Sequence, residues 1–206
     1  MQFHMGAIPE TGFVPDNSWR PLREPGPRVM QLCAFPFGIV AGYAVFKGWQ
    51  FVLDGLPAPF FRDHPLAVML ALSLAFPVLI VVHEMIHAWV HPHFGRTAES
   101  VVGVWPSRLV FYAAFTGAHS RDRFIAILGA PFLCITLLPL AVGALCGHQL
   151  PAAVLYLAAY VSVLNALCAC GDLFAIAMLF AQVPRTAETR NQGWRTYWRL
   201  PQTDSH

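Results

Sequence analysis

From Pro65 to Val90 the chain carries almost no polar side chain until His83-Glu84-Met85-Ile86-His87, near the far end of the run. A stretch this long and apolar is predicted to cross a bilayer as a helix. About 20 apolar residues span the hydrocarbon, and only a helix or a closed barrel satisfies its own backbone groups there. On a helix, residues four apart share a face, so His83 and His87 can reach one metal ion. Glu84 stands one position on from His83, where it can touch a water bound to that ion without being a ligand. Zinc hydrolases use this arrangement: two imidazoles hold Zn2+ and a carboxylate takes a proton from the zinc-bound water. The pattern also arises by chance on solvated helices, but this segment offers little solvent. Ionisable groups in such surroundings are costly unless paired or metal-bound. A metal site is therefore the expectation, with a proton relay or a metal-free structural cluster as the alternatives.

The rest of the composition agrees with a membrane setting. Hydrophobic residues make up 56% of the chain and charged residues only 12%, about half the share of an ordinary soluble domain. The pattern predicts an all-α membrane protein in one domain, a bundle of four transmembrane helices. Residues 1–28 form a Pro-rich cytosolic arm, 29–183 the four-span membrane domain with the zinc site, and 184–206 a basic cytosolic tail. The net charge of +2, with no basic patch interleaved with aromatics, gives no reason to expect nucleic acid. Five cysteines, an odd number with no C-x-x-C pair, speak against a disulfide framework.

Taken in order, the arm holds Pro9, Pro15, Pro21, Pro25 and Pro27 and lacks the apolar core of a signal peptide, so it is expected to be extended or poorly ordered. Spans are expected at about 29–46, 65–90, 124–145 and 152–181. A loop with Asp54, Gly55, Pro57, Pro59, Arg62 and Asp63 joins the first two. His91, Pro92, His93 and Gly95 end the second helix, and His91 and His93 read as interfacial. Residues 101–105 and 109–115 are rich in β-branched and aromatic side chains around a Pro106-Ser107 turn signal. A small β-hairpin or a re-entrant pair of strands between helices 2 and 3 is predicted, with an irregular loop on the membrane as the alternative. Gly129, Pro131 and Pro139 lie inside the third span. Trp194, Tyr197 and Trp198 of the tail are expected along the headgroups. With four spans, eleven arginines fall on the side of both termini and the central loop, against Lys47 and Arg62 on the other. That bias predicts both termini to be cytoplasmic.

A catalytic zinc needs a third protein ligand. Asp172, the acidic residue of the fourth span, lies ~15 Å from its cytoplasmic end, and His83 lies ~10 Å from the end of the second, at 1.5 Å per residue. Those depths agree within about one helical turn. Asn165, Cys168 and Asp172 are spaced by three and four, which on one continuous helix makes a shared polar face. An interhelical hydrogen-bonding stripe would also read this way, but a carboxylate there calls for a cation. Asp172 is the favoured ligand and Cys168 an alternative. Asn165 is a candidate for orienting a substrate carbonyl or stabilising an oxyanion. Gly171 would let the backbone come close to the metal.

His83-Glu84-x-x-His87 in one span, with Asn165 and a Gly171-Asp172 pair in a later one, resembles the site-2-protease type of intramembrane metalloprotease. More closely the chain is similar to a membrane family of zincin peptidases over about residues 80–200, including Gly129-Ala130-Pro131 and the tail from Pro184 to Tyr197. The resemblance implies a zinc ion held by His83, His87 and Asp172, with Glu84 as general base. It implies a zinc-dependent intramembrane endopeptidase acting on a membrane protein or peptide within the lipid bilayer. The chain departs from site-2 proteases in lacking proline after the asparagine and in having Gly-Asp rather than Asp-Gly order. An edge of the hairpin could receive an unwound substrate as an added strand. A prokaryotic inner membrane suits the size and simplicity of the chain. The rival reading is a non-proteolytic metal carrier or metal-stabilised scaffold, to which His91, His93, His119 and His148 lend support.

Overall fold

The computed structural model describes residues 1–10, 12–56, 63–108 and 110–201. Pro57, Pro59 and Arg62 of the first loop, Leu109 of the hairpin and the tail beyond Pro201 lie outside them. Helices dominate: α1 (Pro27–Val52), α2 (Pro65–Val90), α3 (Arg121–Pro131), α4 (Leu138–Cys146), α5 (Ala152–Cys168) and α6 (Cys170–Gln182). The segments Val29–Val52, Pro65–Val90 and Arg121–Gln149 are each long and apolar enough to cross a bilayer. α5 and α6 meet the same test only as a pair bent by 50°. The expected four spans are thus three helices, with a fourth if the bent pair is one span. Leu66, Met69, Leu74 and Val78 of α2 point outward, an apolar surface suited to lipid and not to water.

Two prolines shape the third span. α3 runs into α4 through a π-helical segment, Phe132–Leu137, in which the Leu138 N–H donates to Leu133 O, five residues back. Pro139 has no N–H and its ring crowds the carbonyl four residues earlier, that of Ile135. The Ser162 hydroxyl donates to that Ile135 oxygen at 3.2 Å. Pro131 in the same way withholds a helical donor from Ile127 O.

The chain forms two compact units. One comprises Ala34–His83 and Pro131–Gly171. Its core gathers Val45, Trp49, Leu155, Ala159 and Ala166. Close packing of α1 on α5 needs Gly38, where a Cβ would lie 2.6 Å from the Leu167 carbonyl oxygen. This is the small-residue contact by which membrane helices approach each other.

The other unit comprises Met1–Cys33, Glu84–Ala130 and Asp172–His206, and it corrects the all-α expectation. It holds seven strands among the described residues: β1 (Gln2–Met5), β2 (Arg20–Pro21), β3 (Ser100–Trp105), β4 (Val110–Phe115), β5 (His119–Ser120), β6 (Glu188–Gln192) and β7 (Arg195–Arg199). They make two sheets, ordered β1-β3-β4 and β2-β7-β6-β5. The expected hairpin is β3–β4, with Ser100 opposite Phe115 and Trp105 opposite Val110. The arm adds β1 parallel to β3, Gln2 opposite Val101. The tail folds into β6–β7, whose two-residue loop begins at Gly193 with φ 55°, the left-handed position a tight hairpin requires. Trp194 and Trp198, expected along the headgroups, both make contacts within this unit. Trp198 packs on the core of Leu22, Met178, Leu179, Val183 and Ala187, and Trp194 stacks edge-on against Trp105.

Candidate metal centre

His83, Glu84 and His87 come from the last two turns of α2. His87 Nδ1 lies 2.8 Å from Ile127 O. A carbonyl only accepts, so the ring nitrogen carries the proton, and this is the carbonyl that Pro131 leaves without a helical donor. Asn165 Nδ2 donates to Pro131 O at 3.2 Å and to Thr136 Oγ1 at 2.9 Å. Its amide is thereby oriented, and its Oδ1 faces His83 Nδ1 at 2.8 Å. His83 must then donate from Nδ1 as well. Both imidazoles are fixed in the tautomer that keeps the lone pair on Nε2, the state a metal ligand needs, with the other nitrogen bonded to a protein oxygen.

Asp172 stands in the first turn of α6. Its Oδ2 lies 3.3 Å from His87 Nε2. One ligand atom from each of His83, His87 and Asp172 falls within 4.8 Å of the others. Ligand bonds of about 2.0–2.1 Å at the tetrahedral angle put neighbouring ligand atoms roughly 3.3–3.4 Å apart, so the His87–Asp172 spacing matches one edge of a zinc tetrahedron. Two neutral imidazoles and one carboxylate, leaving one position open, is also the donor set of catalytic rather than structural zinc. The residues fit the metal.

Glu84 and Asp172 line one wall of a cleft of about 230 Å³, together with His87, Phe111, Phe115 and Trp194. Among the described residues β4 pairs only with β3, and Phe111–Phe115 of β4 border this cleft. Ile8 of the arm and Glu24 also reach it. Burial holds the Glu24 carboxyl above its usual range, although the Thr196 N–H and hydroxyl both donate to it.

Several sequence expectations need correction. Asn165 and Asp172 do not share one helix face, because the helix breaks at Ala169 between α5 and α6. Asn165 is fully buried and both its amide hydrogens are taken. Its contacts position His83 and leave no donor for an oxyanion. Cys168 is exposed and stands outside the ligand group. A Cβ at Gly171 would meet nothing within 4 Å, so no close approach depends on that glycine. His91, expected at an interface, is buried within the protein: its Nδ1 lies 2.8 Å from Ser100 Oγ and its ring packs on Phe115. Burial, with His87, His119 and Arg123 nearby, pushes its pKa down to about 4. His119, buried between the rings of Phe115 and Phe124, is likewise lowered to about 4 by burial. Sequence reasoning missed the Ile127 carbonyl as the partner of His87. The signal was there in Pro131, which lacks the N–H that would otherwise occupy it.

A helix long and apolar enough to cross a membrane carries two histidines that, with a carboxylate from a second helix, could hold a metal ion, which is compatible with a membrane protein of the zinc-peptidase class. The chain belongs to the family described as "Putative zincin peptidase", which matches residues 76–187. No curated protein and no solved structure gives a match.

Proposed function

We propose that this protein is a zinc-dependent intramembrane endopeptidase that cleaves membrane-associated protein segments, with both termini cytoplasmic. The observation that carries the reading is the meeting of His83, His87 and Asp172 within 4.8 Å, with Glu84 beside them in the cleft wall. Bound there, zinc supplies Lewis acidity, which lowers the pKa of water and polarises a peptide carbonyl. Within this chain, His83 and His87 present Nε2 as ligands, held by Asn165 and Ile127. Asp172 contributes a carboxylate oxygen. Glu84 accepts a proton on its carboxylate as the peptide bond is attacked, then returns it to the leaving amine. The free edge of β4 offers an extended substrate backbone N–H and C=O partners, and Phe111 and Phe115 give the cleft an apolar wall.

The test compares Glu84→Gln with His83→Ala in the purified full chain reconstituted in vesicles. Glu84→Gln should retain about one zinc per chain and lose cleavage of a membrane-anchored peptide, while His83→Ala loses both. Undiminished cleavage by Glu84→Gln overturns the base assignment. The carrier reading gains no support from geometry. His93 and His148 are exposed, and among the described residues no second group of three ligands forms.

A further inference from the structure

One face of the β2-β7-β6-β5 sheet contributes to the cleft wall. His119 pairs with Thr189, Asn191 lies two residues on from Thr189, and Asn191 pairs with Thr196, so the four side chains share a face. His119, Asn191 and Thr196 line the cleft. The hydroxyls of this face are already engaged. Thr189 donates to His119 O at 3.1 Å. Thr196 donates its hydroxyl to Glu24 Oε1 at 2.7 Å and its N–H to Glu24 Oε2 at 2.9 Å. The unmet groups are acceptors. Asn191 Oδ1 is buried with no hydrogen-bond partner, and so is His119 Nε2. His119 is only 7% exposed, and its Nδ1 lies 3.4 Å from Gly117 O. A carbonyl only accepts, so the proton sits on Nδ1 and Nε2 keeps its lone pair.

Glu24 adds charge to that set. Each carboxylate oxygen has two lone pairs, and Thr196 engages one on each. Burial disfavours the ionised carboxyl; the two Thr196 bonds and, least of all, the exposed Arg195 oppose it. Among the described residues lining the cleft are three carboxylates, Glu24, Glu84 and Asp172, and no lysine or arginine. All of these residues belong to one compact unit. Buried acceptors are costly until a donor meets them. Ammonium and guanidinium groups donate only, with three and five N–H bonds. Met30, Phe124 and Leu128 elsewhere in the lining are apolar, a surface along which the methylene stem of such a side chain can lie while its head reaches polar atoms.

We propose that Glu24, with Asn191 and His119, forms a subsite for a basic side chain, so that the peptide held in this cleft carries arginine or lysine near the bond to be cut. Arginine is the better fit, because its planar fork reaches several fixed acceptors at once. Calling the ligand a substrate rests on the peptidase reading; its binding does not.

The test titrates the purified, zinc-loaded full chain with N-acetyl-arginine methylamide and with N-acetyl-norleucine methylamide, which keeps the stem and lacks the head, and reads both Kd values by calorimetry. The arginine probe should bind about 10–100-fold more tightly, the scale of hydrogen bonds to charged groups. Glu24→Gln should bring the two Kd values together while zinc content persists. Asn191→Leu removes an oxygen that makes no hydrogen bond and should narrow the ratio several-fold, which separates lost recognition from lost folding. Equal affinity of the parent for both probes overturns the proposal, as does a ratio that survives in both variants. Cleavage of membrane-anchored peptides that ignores arginine and lysine overturns it as well. Preference for the arginine probe without cleavage of any peptide upholds the subsite and sinks the peptidase reading alone.

Discussion

Replacing Asn165 with leucine separates holding a metal ligand from touching the substrate. Leucine is close to asparagine in size, so packing changes little. The polar loss is threefold: the acceptor for His83 Nδ1 and the donors to Pro131 O and Thr136 Oγ1 all go. Each buried group left without a partner costs about 1–3 kcal/mol, and the Asn165 acceptor no longer holds the His83 proton on Nδ1. Loss of an outer partner of a metal-ligating histidine lowers metal affinity roughly 10–100-fold, or about 1.4–2.8 kcal/mol, which is the size of one such unmet bond. The assay is zinc competition against a calibrated chelator at neutral pH, followed by peptide cleavage at saturating zinc. The expected result is a 10–100-fold weaker Kd, with most of kcat recovered once the site is filled. An unchanged Kd together with a kcat that stays low at saturating zinc would refute the positioning role and restore Asn165 as a group that contacts the reacting carbonyl.

Other consequences are equally open to measurement. Asp172→Ala should release zinc, read as loss of about one equivalent per chain by elemental analysis, and full retention would place the third ligand elsewhere. Ser162→Ala should destabilise by about 1–2 kcal/mol, since it strips the donor from Ile135 O. In a Pro139→Ala background that cost should shrink, because the new backbone N–H can reach the same carbonyl, and an unchanged thermal midpoint difference would refute this account. Gly38→Ala sets a Cβ 2.6 Å from Leu167 O, and overpacking of this kind lowers stability by about 1–3 kcal/mol. His119 has its folded pKa lowered from 6.5 to about 4, so the unfolded chain takes up the proton first as pH falls. Its contribution is intact above pH 6.5 and declines toward pH 4, by up to about 1.4 kcal/mol per pH unit. The thermal midpoint of His119→Phe should fall less steeply over that window than that of the parent, and parallel curves would count against a buried neutral ring.

How much was legible in the sequence depended on how local each signal was. The apolar run to Val90 marked a helix long and apolar enough to cross a bilayer, and the four-residue spacing of His83 and His87 placed both on one face. Turn chemistry at Pro106-Ser107 between β-rich segments marked the β3–β4 hairpin. Matching the depths of two spans singled out Asp172, which lies 3.3 Å from His87. The arm and tail were opaque for a different reason. β1 pairs with a strand about one hundred residues away, and four residues reading Gln-Phe-His-Met announce no such partner. β6, Glu-Thr-Arg-Asn-Gln, has no apolar alternation, because its order comes from neighbours on both sides. The break at Ala169 was hidden because no proline marks it. Cys-Ala-Cys-Gly reads as continuous helix, and only tertiary packing sends Asn165 to His83 and Asp172 to His87.

The π-helical turn at Phe132–Leu137 amounts to a single surplus residue accommodated inside a helix. Excising one residue there should let the span relax to an ordinary helix, while the faces presented by α3 and α4 stay where they are. The same excision elsewhere in the span would swing everything downstream by about 100°. Tolerance to a one-residue deletion should therefore be confined to this turn, and shortened variants of the protein would be expected to carry their gap between Pro131 and Leu138.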